Sequence, residues 1–103
     1  VEEFLDSLTG KQAQKVVWVL RLIRDRERVS SRYLKKLVDT REIWEVRVQH
    51  GRTNFRILGF FGETGELVLT NGFGKKRDRV PRREIGRADN RRSEYLERSR
   101  NDG

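Results

Sequence analysis

The chain of 103 residues has no cysteine and no methionine, a single histidine and a single proline. Without thiols there is no disulfide framework, no thiol nucleophile and no thiolate metal site, which fits a reducing compartment. One histidine excludes a ribonuclease that uses two histidines as paired acid and base, and there is no His/Cys cluster to hold a transition metal. Asp and Glu are scattered without the spacing of a carboxylate site, and the glycines sit in turns rather than in phosphate-loop or dinucleotide patterns. No cofactor and no metal are expected. No apolar run approaches the roughly 18–20 residues of a membrane span, and the first residues lack a signal-peptide pattern. A soluble, cytoplasmic protein with no membrane partner is therefore expected. Because the chain starts at Val1 rather than Met, it is expected to lack the first residue or residues of the gene product.

What the chain has in excess is positive charge. It carries 24 Lys and Arg against 16 Asp and Glu, a formal net charge of +8, and such an imbalance costs self-repulsion that an anionic partner would relieve. Between Lys75 and Arg100 there are 11 basic and 5 acidic residues, so this stretch carries +6 of the total. Apolar residues make up 34% of the chain and charged ones 39%, a ratio that permits folding only if the apolar residues are concentrated on inward faces. The length suits one compact domain spanning 1–103.

The apolar spacing gives the elements. Val1 to Leu8 suggests a short first strand. Thr9 and Gln12 then have capping-box spacing, and Ala13, Val16, Val17, Leu20 and Ile23 recur at helical steps, predicting an amphipathic helix from Gln12 to about Glu27. Ser30 and Ser31 could cap a second short helix, Arg32 to Val38, with Leu34, Leu37 and Val38 inward and Lys35 and Lys36 outward. From Trp44 the period changes to two. Trp44, Val46 and Val48 alternate with Glu45, Arg47 and Gln49, followed by a turn at His50-Gly51-Arg52 and a strand from Thr53 to Phe61. A third strand, Glu66 to Phe73, is expected to place Leu67, Leu69 and Phe73 on one face. Pro81 suits the first position of a C-terminal helix carrying Ile85, Ala88, Tyr95 and Leu96. The expected class is α+β: an N-terminal helical hairpin packed on a small antiparallel sheet with a C-terminal helix, the helices all on one sheet face.

Chemistry has few places to sit. Arg47 and Arg56 lie on strands that should pair antiparallel, each flanked by apolar residues pointing the other way, so both can project from one face. Lys75, Lys76, Arg77 and Arg79 follow the third strand, and Lys35 and Lys36 add charge elsewhere. Arginine's planar fork suits phosphate oxygens and lysine supplies a mobile point charge, so these residues could form a phosphate clamp. An arginine on a strand's wet face is equally a solvated charge, and a basic loop equally a solubilising one. Arg56 is harder to explain that way, because Leu58 and Phe60 share its face. His50 is the natural proton carrier at neutral pH, and Glu45 is a second candidate, although a turn histidine is also an ordinary surface residue.

In order and spacing, Leu34-Lys35-Lys36-Leu37, Ile43-Trp44-Glu45-Val46-Arg47-Val48, Asn54-Phe55-Arg56-Ile57-Leu58, Gly72-Phe73-Gly74-Lys75-Lys76 and Pro81 with Glu84-Ile85 and Ala88 resemble the RelE/HigB-type toxins of bacterial type II toxin–antitoxin systems, in particular the phage-related HigB branch. The resemblance covers nearly the whole chain. It implies a RelE-like fold and a metal-independent, ribosome-dependent mRNA endoribonuclease that inhibits translation and is neutralised by a cognate antitoxin with a helix-turn-helix domain. By the same resemblance Arg56, Arg47 and Lys76 take the catalytic phosphate contacts. Where some relatives carry a tyrosine shortly after the last basic residue, this chain has Val80, Pro81 and Arg82. The alternatives are a non-catalytic basic module that binds RNA or DNA by charge, and a protein whose basic face docks an acidic partner.

Overall fold

A computed structural model describes residues 2–25, 28–75 and 79–102. The elements run α1 (Glu2–Asp6), α2 (Gly10–Asp25), β1 (Leu34–Lys36), β2 (Trp44–His50), β3 (Thr53–Phe61), β4 (Leu67–Gly74) and α3 (Arg82–Asp102). The strands form one antiparallel sheet in the order β1-β2-β3-β4. This is the α+β arrangement, RelE-like in plan, that the sequence predicts: helices at the N-terminus, a small sheet, and a C-terminal helix.

Alternation along β2 and β3 sorts the core into two layers. Val46 pairs with Ile57 and Val48 with Phe55, and these four join Val16 and Val19 of α2 in the larger cluster. Leu58, one residue from Ile57, points the other way and packs with Ile43 and with Ala88 of α3. Helices therefore cover both faces of the sheet, not one as expected. The thin apolar stripe of α3 is enough for this, because it needs to cover only the part of its face around Leu58 and Phe60.

Three local expectations are corrected. Val1 to Leu8 is not a strand: residues 2–6 form α1, whose Phe4 and Leu5, with Leu8 just beyond, pack against the larger cluster. Phe4 lies edge-on to Phe55 at 5.8 Å between ring centroids, and it covers Gly72, where a Cβ would come within 2.4 Å of its ring. The Thr9–Gln12 capping box that begins α2 forms as the spacing predicts, Thr9 N–H donating to Gln12 Oε1 at 3.0 Å and Gln12 N–H to Thr9 Oγ1 at 3.2 Å.

The predicted helix over Arg32–Val38 is instead one turn followed by β1. Ser30 does accept from the backbone of Arg32, Tyr33 and Leu34, but seven residues are too few to sustain a helix without tertiary support. Pairing Leu34 with Val46 and Lys36 with Trp44 satisfies the open edge of β2 as well. The N-terminal helix pair is accordingly α1 with α2.

The third correction concerns β4. Leu58 pairs with Asn71 and the next residue, Gly59, pairs with Leu69, so Thr70 is the extra residue of a β-bulge. An extra residue inverts the alternation beyond it. Leu67 and Leu69 join the α2 side, whereas Phe73 packs with the α3 side. Thr70 Oγ1 holds the bulge by donating to the Leu58 carbonyl at 3.1 Å, and Gly59 opposite leaves room for the Val68 carbonyl, which a Cβ would approach to 2.6 Å.

Candidate nucleic-acid interface

The sheet face that carries Leu58 is only partly covered by α3. Where the helix starts, a cleft of about 790 Å³ opens between β1 and β2, the 37–40 loop, the segment after β4 and the first turn of α3. Lys35, Lys36, Arg47, Lys75, Arg79 and Arg82 line it, against the carboxylates of Asp39 and Glu45. Leu37, Val38, Val80 and Ile85 supply apolar wall. A concave surface with, among the described residues, six cations and two anions concentrates positive potential and attracts polyanions.

Local structure explains how these groups come together. Lys35 is placed on this face by its pairing with Glu45, and Arg47 by its pairing with Arg56. The Lys75 amide donates to the Asn54 carbonyl at 2.8 Å, carrying the β3–β4 ladder one step past the strand's end. The 37–43 loop turns through Asp39 and Glu42, both at positive φ, and Thr40 Oγ1 ties it by donating to the Leu37 carbonyl at 2.8 Å. Lys36 Nζ and Glu42 close its mouth at 3.0 Å.

The floor of the cleft is a three-residue charge cluster. Glu45 is 4% exposed and Arg56 6%. Glu45 Oε1 lies 3.3 Å from Arg47 Nε and 3.6 Å from Arg56 Nε. Arg56 also donates from Nη1 to the Phe55 carbonyl at 2.9 Å, while its buried Nε has no hydrogen bond. Burial pushes the Arg56 guanidinium below arginine's ordinary range, with Glu45 opposing and Arg47 reinforcing the shift. Burial disfavours the charged form, and a carboxylate at this distance restores much of the loss. Arg47, half-buried, reaches out of the cluster and donates to the Ser31 carbonyl at 3.4 Å.

The sequence candidates thus separate. Glu45, Arg47, Lys35, Lys36, Lys75 and Arg79 line the cleft. Arg56 lies under it, a neighbour of Glu45 rather than a lining residue. His50 belongs to the Trp44, Val46, Val48 set and so faces the α2 side; it pairs with Thr53 at the hairpin turn and does not line the cleft. Lys76 and Arg77 lie outside the described residues. Among the described residues, no three His, Cys, Asp or Glu side chains group so as to hold a metal ion, and no helix is long and apolar enough to cross a membrane.

Sequence reasoning gave no site role to Arg82, Asn71 or Glu84. Arg82 lines the cleft because α3 starts there. Asn71 and Glu84, both buried, join β4 to α3: Asn71 Nδ2 donates to the Glu84 carbonyl at 3.1 Å and to Glu84 Oε1 at 3.2 Å. The available signal was polarity out of place, since Asn71 continues the Leu67, Leu69 alternation.

A search of curated proteins and of solved structures finds no match. The family model described as Phage derived protein Gp49-like (DUF891) matches residues 3–93, a span that takes in both core layers and every lining residue of the cleft. The chain belongs to this phage-derived Gp49-like family, which is of RelE toxin type and associated with the toxins of toxin–antitoxin systems.

Proposed function

We propose that this protein is the toxin of a toxin–antitoxin pair, of the HigB branch, and that it cuts mRNA in the translating ribosome. The observation that carries the proposal is the cleft, in which Lys35, Lys36, Lys75, Arg79 and Arg82 surround a floor holding Arg47 and Glu45. Arg47, Lys35 and Lys75 bind the phosphates of an RNA strand, and Arg47 stabilises the charge that develops on the scissile phosphate. Arg56 acts through Glu45, holding the carboxylate that in turn orients Arg47. Lys76 and Arg77, next to Lys75 in the sequence, are assigned to the same phosphate clamp. Arginine is not a base at neutral pH, so Glu45 or a ribosomal group takes the proton as the 2′-oxygen bonds to phosphorus; the P–O5′ bond breaks, the leaving 5′-oxygen takes a proton from water or the ribosome, and the products are a 2′,3′-cyclic phosphate and a 5′-hydroxyl. Cleavage in the absence of the ribosome is weak. The positive cleft is also the surface that a cognate antitoxin, carrying a helix-turn-helix domain, neutralises. The protein acts in the cytoplasm.

One observation favours a second function. No histidine lines the cleft, so a non-catalytic module that holds RNA by charge alone has the same surface. A translation reaction with purified ribosomes and a defined mRNA separates the two. The 5′ ends are mapped after adding wild-type protein, Arg47→Ala, Arg56→Ala or Lys76→Ala, with a ribosome-free control. Discrete ribosome-dependent cuts that the three variants lose are expected; intact mRNA with folded wild-type protein leaves the binding module.

A further inference from the structure

An aromatic and basic cluster lies around the β1 edge from the cleft, on the α2 side of the sheet. Trp18 of α2 is 48% exposed, unusually open for a tryptophan. Its ring meets Tyr33 edge-on at 5.9 Å. Lys15 Nζ stands 4.3 Å over the Trp18 ring and the Arg32 guanidinium 5.6 Å from the Tyr33 ring. The only acid in α2 is Asp25, already paired with Arg24 at 2.8 Å. Both rings therefore stand among cations.

The cluster and the cleft lie on opposite faces of the sheet and meet around its β1 edge, Tyr33 packing on the α2 side and Lys35 and Arg47 lining the cleft. Arg47, on the cleft floor, donates its backbone amide to the Tyr33 carbonyl at 2.8 Å and its guanidinium to the Ser31 carbonyl at 3.4 Å. Lys35, two residues after Tyr33, lines the cleft itself. A strand of RNA held at Arg47 and Lys35 would reach Trp18 by crossing the β1 edge past Arg32, whose neighbour Ser31 accepts from Arg47.

We propose that Trp18 and Tyr33 form a stacking platform for an unpaired base of the RNA strand leaving the cleft, with Lys15 and Arg32 holding the flanking phosphates. The inference rests on the RNA reading of the cleft and extends the bound strand beyond it. An exposed indole offers a sequence-tolerant stacking face, and a cation beside it pairs with the backbone that such a base brings along. A duplex cannot use the platform, because its bases are already stacked and paired.

The test uses the full chain with Trp44→Phe, which leaves Trp18 as the only tryptophan, and a short oligoadenylate RNA. Quenching of Trp18 emission on titration is expected. In the otherwise wild-type chain, Trp18→Ala should weaken binding by about tenfold, within the range for one stacked base, and Trp18→Phe should restore most of it. Duplex RNA of the same length should leave the emission unchanged. RNA binding that is lost in Lys35→Ala and Arg47→Ala, with Trp18 silent and Trp18→Ala without effect, would overturn the platform and leave the cleft intact. Absence of RNA binding at either surface, including the case where only a protein partner perturbs Trp18, overturns both.

Discussion

Arg47 and Arg56 stand directly opposite each other across the β2–β3 ladder, and both approach the same oxygen of Glu45, at 3.3 and 3.6 Å. Two like charges in that relation repel, and the Arg56 charge is buried as well. Glu45 is what makes the pair tolerable. Glu45→Ala should therefore cost about 3–5 kcal/mol, the usual penalty for leaving a buried charge without its partner. Arg56→Met, which removes one repelling charge and keeps the bulk, should cost much less. Urea denaturation of both variants checks the order; a Glu45→Ala loss no greater than that of Arg56→Met would show that the cluster is not held by its carboxylate.

Much of this was legible in the sequence because alternation in β2 and β3 is strict. It places Glu45, Arg47 and Arg56 on one face without any knowledge of the rest. What was not legible depends on partners distant in the chain. Arg32–Val38 has helical caps and spacing, yet the open edge of β2 decides its conformation. Phe73 follows Leu67 and Leu69 in register, and only the Thr70 bulge turns it to the other layer. The apolar setting of Arg56 was legible from Leu58 and Phe60 on its face, but the cover that α3 gives Leu58 was not, because no local pattern encodes it.

Asn71 and Glu84 anchor α3 to β4 beside the cleft, and Glu84 is 5% exposed. Asn71→Ala should cost about 1.5–3 kcal/mol, the range for a hydrogen bond to a charged group. Asn71→Asp should cost more near neutral pH, because it sets a second carboxylate against Glu84 at the same site. Chemical denaturation at neutral and mildly acidic pH checks this, with the aspartate variant recovering toward the alanine one as protons are added. Equal stability of the two variants at neutral pH would count against a carboxylate contact at Asn71.

Gly72 is where α1 rests on the sheet. A Cβ there would lie 2.4–2.8 Å from three atoms of the Phe4 ring. Gly72→Ala should cost about 1–3 kcal/mol through displacement of that ring, whereas at Gly74 nothing lies within 4 Å of a built Cβ. Comparing Gly72→Ala with Gly72→Ala/Phe4→Ala by thermal unfolding isolates the clash. The penalty of the glycine substitution should largely vanish once the ring is gone, and a penalty that persists would place its origin in the backbone.

Tyr95 on α3 donates to Glu66 Oε1 at 2.9 Å, tying the helix to the turn before β4. Hydrogen bonds from Thr64 first, then from the Glu66 backbone and Tyr95, hold the Glu66 carboxyl below its ordinary value, and the bond to Glu66 raises the Tyr95 hydroxyl. The depressed glutamate contributes stability above its unfolded value and loses it as pH falls through the folded one. The raised tyrosine contributes below its unfolded value and loses it as pH rises through the folded one. The stability difference between wild type and Tyr95→Phe should thus be largest on a plateau between the ordinary Glu and Tyr ranges and should shrink on both sides. Urea denaturation from acid to alkaline pH tests the shape, and a flat difference would mean that the pair does not form in solution.

The salt dependence of RNA affinity distinguishes residues that touch phosphate from those that support them. Each phosphate contact on a single strand contributes a slope of about −0.7 to log K against log salt. Arg47→Ala and Lys35→Ala should each flatten the slope by about that amount, because both side chains line the cleft. Arg56→Met should leave the slope unchanged, since the residue is 6% exposed and its guanidinium is turned to Glu45 and the Phe55 carbonyl. Fluorescence anisotropy with a labelled single-stranded RNA over a range of KCl concentrations gives all three values. If Arg56→Met flattens the slope as much as Arg47→Ala, the Arg56 guanidinium leaves Glu45 to meet the RNA. If exposed residues remote from the cleft, such as Arg100, flatten it equally, the protein holds RNA by overall charge and the cleft has no special standing.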